Sequence, residues 1–233
     1  MQPAAAPTQT AQTFLFADLS GFTALTEAHG DQQAADVVAE FCAAVRGLLA
    51  EHQAHEVKSI GDALMLRTAD AAAAVRLGLR IVGEVGAQHR FPLVRVGMHT
   101  GSAVERDGDW FGAAVNLAAR VSGAACGGQV LLTAATRAAA GKVEGVELRT
   151  CGHWAFRNVS EPVEVYAAVQ RAPRNPAGLP VDPVCRMAVD PSHAAGRLTY
   201  QGVQYCFCSR TCADAFMQRP STDTTTQDQP PRQ

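Results

Sequence analysis

TFLFADLSGFT, residues 13–23, is an apolar run that breaks into an aspartate and then a glycine turn, and its reading decides the fold. Residues 13–18 read as a strand, and Asp18 falls at its end, where a carboxylate projects past the sheet edge and backbone carbonyls are left free. Working outward, Val37, Val38, Phe41, Val45, Leu48 and Leu49 recur at helical spacing, which predicts a helix over 32–50. Residues 55–60 and 62–67 are short strand patterns hinged at Gly61, hence a hairpin. An Ala-rich helix over 69–88 follows, with Val75, Leu79 and Val82 on one face, and then a strand over 93–99. The order strand, helix, two strands, helix, strand is that of a ferredoxin-like βαββαβ core in the α+β class. It is extended by a ribbon around the turn at 106–108, a helix over 112–122, a strand over 129–132, a short helix from Ala134, and strands at 143–149 and 163–169.

The chain has 233 residues, enough for one sizeable domain and a small appendage. The expected division is a disordered start over 1–12, a main domain over 13–170, a Pro-rich linker over 171–180, a Cys-rich unit over 181–220 and a disordered polar tail over 221–233. A net charge of −2 without a Lys/Arg-rich run excludes an electrostatic footprint for nucleic acid or anionic membrane. The most apolar helix candidate carries Arg76, Arg80 and Glu84, so it is no membrane span. Residues 1–12 have neither the basic start nor the apolar middle of a signal peptide, and a cytoplasmic protein is expected.

Asp62 lies beside Gly61 as Asp18 lies near Gly21, each at a strand end. Two such carboxylates can share a pair of hard cations, Mg²⁺ or Mn²⁺, with substrate phosphates completing the coordination. In DWFGAAVNLAAR, residues 109–120, Asn116 and Arg120 stand four apart on a predicted helix and share one face. Arg can fork two donors onto phosphate oxygens, and Asn can orient a ribose oxygen. Lys58 and Asp109 supply one donor and one acceptor, the match to adenine's N1 and 6-amino group.

With FADLSGFT, KSIGDA, VRVGMHTG and DWFGAAVNLAAR in this order and spacing, residues 13–169 resemble the catalytic domain of class III nucleotidyl cyclases. The resemblance implies that Asp18 and Asp62 bind two metal ions, with the Leu19 carbonyl as an extra ligand. It implies that Lys58 and Asp109 select adenine, and that Asn116 and Arg120 stabilise the transition state. It further implies a head-to-tail homodimer in which each site takes its metal aspartates from one copy and its base, ribose and phosphate contacts from the other. The chain departs from the family in Ala113 and Ala114 after Gly112, and in Phe156, Arg157 and Asn158 where a Leu-Lys-Gly segment is usual; Arg157 is a weak phosphate candidate.

Of seven cysteines, Cys42, Cys126 and Cys151 are scattered and read as small buried hydrophobes. Cys185, Cys206, Cys208 and Cys212 crowd the last fifth. On a strand Cys206 and Cys208 share a face, and Cys212 is one helical turn beyond Cys208. Such thiols favour Zn²⁺ or Cu⁺. Through DPVC, the VDP that follows, YQG and FCS-x-x-C, residues 181–220 resemble the YHS domain, a module associated with heavy metals. That match makes Cys185, Cys208 and Cys212 the leading ligands and Cys206 a replacement for an aromatic residue. Arg186 stands where Gly is common, and His193 reads as an exposed loop histidine.

The expected activity is an adenylate cyclase that makes cyclic AMP and pyrophosphate from ATP, tuned by metal at the Cys-rich unit. The alternatives are a guanylate cyclase, or a catalytically idle scaffold that reports metal occupancy to a partner.

Overall fold

A computed structural model describes residues 11–88, 91–170, 179–200 and 202–218. Its main sheet is built on β1 (Ala11–Leu19), flanked by β3 (Ala63–Thr68) and β4 (Val94–Ser102), with β2 (His55–Ile60) outside β3. The order β4-β1-β3-β2 with antiparallel neighbours is the ferredoxin-like core. Beyond β4 the sheet continues through β7 (Val130–Thr133), β9 (Val163–Gln170) and β8 (Val146–Trp154), and only the β4–β7 pair is parallel.

Helices cover both faces of this sheet, which is why β1 reads as an almost continuous apolar run. Leu15, Ala17 and Leu19 look to one side, into a core formed with α2 (Asp31–Leu49) and α3 (Ala71–Arg80). Phe14 and Phe16 look to the other, where α4 (Ala113–Ala124) lies with Trp110 of a small ribbon, β5 (Val104–Arg106) and β6 (Asp109–Phe111). The Phe14 and Trp110 ring centroids are 5.6 Å apart. A close approach at Gly97 seats α4: a Cβ there would lie 1.9 Å from the backbone nitrogen of Ser122, and the Ser122 hydroxyl donates to the Phe16 carbonyl at 3.0 Å.

Several boundaries differ from the sequence expectation. β1 begins at Ala11, so residues 11 and 12 pair in the sheet instead of belonging to a loose start. A short helix, α1 (Phe22–His29), follows β1 directly; eight residues with Thr at two positions carry too little periodicity to be read. The Ala-rich helix ends at Arg80 and gives way to one π turn, Ile81–Val85, and its buried residues include Ala74, Val75, Leu77 and Gly78. The seventh and eighth elements of the sheet side are joined by α5 (Ala134–Ala140), and β8 starts at Val146, after a turn in which Gly145 takes φ 73°. Cys42 is buried as expected, but Cys126 is half-buried and Cys151 is exposed on β8. Residues 1–10, most of the expected linker (171–178) and the tail lie outside the described residues.

The C-terminal unit consists of a hairpin, β10 (Gly196–Tyr200) and β11 (Val203–Phe207), closed by α6 (Arg210–Gln218). Its aromatic centre is Phe216, 4.9 Å from Tyr205 and 5.4 Å from Phe207 between ring centroids. The unit packs onto the main apolar cluster. Cys185, Met187, Phe207 and Phe216 join the same apolar cluster as β1, α2 and α3, and the Ala188 N–H donates to the Phe91 carbonyl at 2.9 Å. Arg186 takes φ 64°, the left-handed region that glycine enters freely, and its side chain lies over Gly21.

Candidate active site and cysteine centre

The two aspartates meet. Asp18, at the end of β1, stands opposite Ala63 on β3 and Arg95 on β4. Asp62 sits in the two-residue turn joining β2 to β3, where Gly61 adopts φ 60°. Burial, and then the Asp18 charge beside it, push the Asp62 carboxyl up to about 6. Arg95 grips Asp18: its Nε donates to Oδ2 at 2.7 Å and a terminal guanidinium nitrogen reaches the same oxygen. Leu19, the next residue, is buried. Sequence reasoning missed Arg95; its register position opposite Asp18 becomes visible only once β1 and β4 are paired.

Lys58 and Asp109 come from distant segments and also meet. Lys58 Nζ is 2.5 Å from Asp109 Oδ2 and 5.8 Å from the centre of the Phe111 ring. The Trp110 N–H donates to Asp109 Oδ1 at 2.8 Å, so both carboxylate oxygens are held. The Lys58 hydrogen bond, aided by that amide, lowers the Asp109 pKa. Because β2 and β3 form a tight hairpin, Lys58 and Asp62 lie on either side of its bend, each engaged with a different partner.

On α4 the apolar stripe of Ala114, Val115, Ala118 and Val121 faces the sheet, which leaves Asn116 exposed and Arg120 half-buried. Among the described residues neither makes a side-chain hydrogen bond or ion pair. The pair therefore presents an amide and a guanidinium one helical turn apart, free to take a ligand. Arg157 is exposed in the loop between β8 and β9, beside Asn158 at φ 60°.

In the C-terminal unit Cys185, Cys208 and Cys212 converge, with Sγ atoms 3.3 Å apart for Cys185 and Cys208 and 3.8 Å for Cys208 and Cys212. Cys206 does not join them. It lies buried within β11, paired with Arg197, whereas Tyr205 and Phe207 on the alternate face turn to Phe216; the strand ends at Phe207, and Cys208 bends away into the turn before α6. The fully buried Asp182 organises the group. Its Oδ1 accepts from the Val184 and Cys185 amides at 2.9 and 3.4 Å, and its Oδ2 accepts from the Cys208 amide at 2.8 Å. Hydrogen bonds from Cys185 and Cys208 pull the Cys212 thiol well below its ordinary value, and the contacts with Cys208 and Cys212 push Cys185 up. His29, at the end of α1, enters the same group, with Nε2 3.5 Å from Cys208 Sγ and 3.6 Å from Cys212 Sγ. His193 is exposed and engaged with Asp190 at 2.8 Å.

Family models match twice: the adenylate and guanylate cyclase catalytic domain over residues 5–167, and the YHS domain over 181–222. A Mycobacterium tuberculosis protein described as a pH-sensitive adenylate cyclase is 34% identical over 169 residues, which is 71% of this chain and 42% of the relative. An adenylate cyclase of Streptomyces griseus is 35% identical over 120 residues, 52% of this chain and 30% of its own length. This chain thus spans less than half of either relative. Among solved structures, an adenylate cyclase of Trypanosoma brucei, described in its monomeric state, superposes with a TM-score of 0.63 at 27% identity, covering 73% of this chain and 93% of that one.

Proposed function

The chain belongs to the adenylate and guanylate cyclase catalytic-domain family, and from that premise we propose that it is an adenylate cyclase converting ATP to 3′,5′-cyclic AMP and pyrophosphate. The observation that carries the choice of ATP is the Lys58–Asp109 pair at 2.5 Å. An ammonium beside a carboxylate is one donor and one acceptor, complementary to adenine N1 and its 6-amino group; guanine presents the opposite polarity at those positions.

Asp18, Asp62 and the Leu19 carbonyl would hold the divalent ions, two per site. The donor set fits them: two hard carboxylates stand close enough for one to raise the other's pKa, a cost that a divalent cation relieves. Such ions, when bound, lower the pKa of the attacking hydroxyl and neutralise phosphate charge. Lys58 and Asp109 fix the base, Asn116 orients the ribose, and Arg120 forks onto phosphate oxygens where negative charge develops. The ribose 3′ oxygen attacks the α-phosphorus, the bond to the β-phosphate oxygen breaks, and pyrophosphate leaves; catalysis is chiefly positioning and charge stabilisation.

The working unit is a head-to-tail homodimer. Asn116 and Arg120 have no side-chain partner among the described residues, and the exposed apolar side chains of Ile60 and Phe111 flank Lys58 and Asp109, supplying surface for a second copy. The C-terminal unit tunes turnover through an ion held by its thiols. The protein acts inside the cell, and no helix among the described residues is long and apolar enough to cross a membrane. Purified protein with Mn²⁺ is expected to cyclise ATP with GTP as a poor competitor, and Lys58→Met to lower kcat/KM for ATP about 10–100-fold. Equal turnover of GTP, or no product at protein concentrations that favour dimers, would overturn this reading.

A further inference from the structure

We propose that His29 of the catalytic unit is the fourth ligand of a Zn²⁺ site whose other ligands are Cys185, Cys208 and Cys212, so that one ion clips the C-terminal unit onto α1. The four donor atoms all lie within 4.8 Å of one another. A tetrahedral ion with bonds of about 2.3 Å to sulfur and about 2.0–2.1 Å to nitrogen needs S–S edges near 3.8 Å and S–N edges near 3.5 Å. The observed S–N separations are 3.5 and 3.6 Å, and the Cys208–Cys212 edge is 3.8 Å. The Cys185–Cys208 edge, at 3.3 Å, must open slightly, and the two remaining edges, from Cys185 to Cys212 and to His29, lie within the 4.8 Å limit of the group. Three thiolates with one imidazole suit a borderline, tetrahedral divalent ion better than a hard one.

The geometry around the group is that of a built site. Asp182 ties the Cys185 turn to the Cys208 turn through three backbone amides, so two of the sulfurs are oriented before any ion arrives. The Gly30 N–H closes the end of α1 on the Thr26 carbonyl at 2.8 Å and holds the terminal turn that carries His29. A cavity of about 390 Å³ beside Cys212, lined by Ala24, Glu27, Ala28 and Thr211, opens the seam between α1 and α6 to solvent and provides an entry path.

The consequence is mechanical. α1 is eight residues long, about 12 Å, and its first residue, Phe22, comes four positions after Asp18. The ion would anchor the far end of this helix while Arg186, from the same unit, presses on Gly21 at the near end. With zinc bound, α1 would therefore be held at both ends, and with it the turn that leaves β1 just after Asp18. The clip does not depend on the cyclase reading, since a chain inert toward nucleotides would bind zinc in the same way.

The test uses the full chain, reduced with a phosphine and titrated with Zn²⁺ against a chromophoric zinc chelator. One zinc per chain is expected, with His29→Ala weakening affinity at least about tenfold and Cys206→Ala leaving it unchanged. His29→Cys should restore affinity, and its Co²⁺-substituted form should show the d–d bands shifted toward those of a four-thiolate site. Amide exchange over residues 22–29 should slow on zinc addition in the wild type and not in His29→Ala. Wild-type affinity in His29→Ala, or a Co²⁺ spectrum that does not move in His29→Cys, would overturn the proposal, as would failure of the unmodified chain to bind zinc.

Discussion

Asp62→Asn should make the protein more stable while abolishing turnover. Burial and the neighbouring Asp18 raise the native carboxyl from 3.8 to about 6. At about 1.4 kcal/mol per pH unit this is roughly 3 kcal/mol for a fully desolvated group, and solvent screening of a half-exposed side chain brings it to about 1 kcal/mol. A native pKa above the unfolded one contributes stability that is complete below about pH 4 and lost as pH rises through 6. Asparagine keeps the shape of the neutral acid and never ionises, so its advantage is full at pH 8 and vanishes near pH 4. For a chain of this size, about 1 kcal/mol corresponds to a Tm higher by about 2–4 °C. Thermal unfolding in buffers free of Mg²⁺ and Mn²⁺, at pH 8 and pH 4.5, reads the difference. Adding Mn²⁺ should reverse the order, because only the wild type gains from binding. A variant no more stable than the wild type at pH 8, or a gain that persists unchanged at low pH, would refute the idea that these two acids strain one another.

Other outcomes follow from the same geometry. If sites are shared between copies, mixing inactive Asp62→Ala with inactive Arg120→Ala at equal concentration should recover about a quarter of wild-type activity, since about half the dimers are mixed and each has one intact site of two; no recovery would place each site within one chain. Gly97→Ala puts a methyl group against the Ser122 backbone at 1.9 Å, and should cost about 3 kcal/mol, a Tm drop of about 6–12 °C, with loss of activity as α4 is displaced together with Asn116 and Arg120. Asp182→Ala removes the acceptor of three amide hydrogen bonds and should weaken zinc binding about 10–100-fold without touching a ligand, measurable by the same chelator competition.

Much of the cyclase-like half was legible because its candidate site residues sit where local patterns break. Asp18 ends an apolar strand shortly before a glycine and Asp62 follows one at a hairpin bend, and the ferredoxin-like order sets β1 beside β3, which brings the acids near one another. Lys58 and Asp109 were paired on donor–acceptor chemistry and on family resemblance, since 51 residues separate them and no periodicity links them. The cysteine centre was half read. Strand alternation puts Cys206 and Cys208 on one face, but β11 stops at Phe207 and the alternation no longer applies to Cys208. His29 was invisible for a different reason: it is 179 residues from Cys208, on a helix of two turns, in a part of the chain whose composition says nothing about thiols. What joins them is packing of the C-terminal unit into the main apolar cluster, a tertiary fact that no local pattern announces.

The ion pair between Arg95 and Asp18 carries a last consequence. A cation reaching this carboxylate does not meet a bare anion: a guanidinium already holds Oδ2 through two nitrogens. The arginine thereby offsets the mutual repulsion of the two neighbouring acids, and it sets a fork of donors beside them.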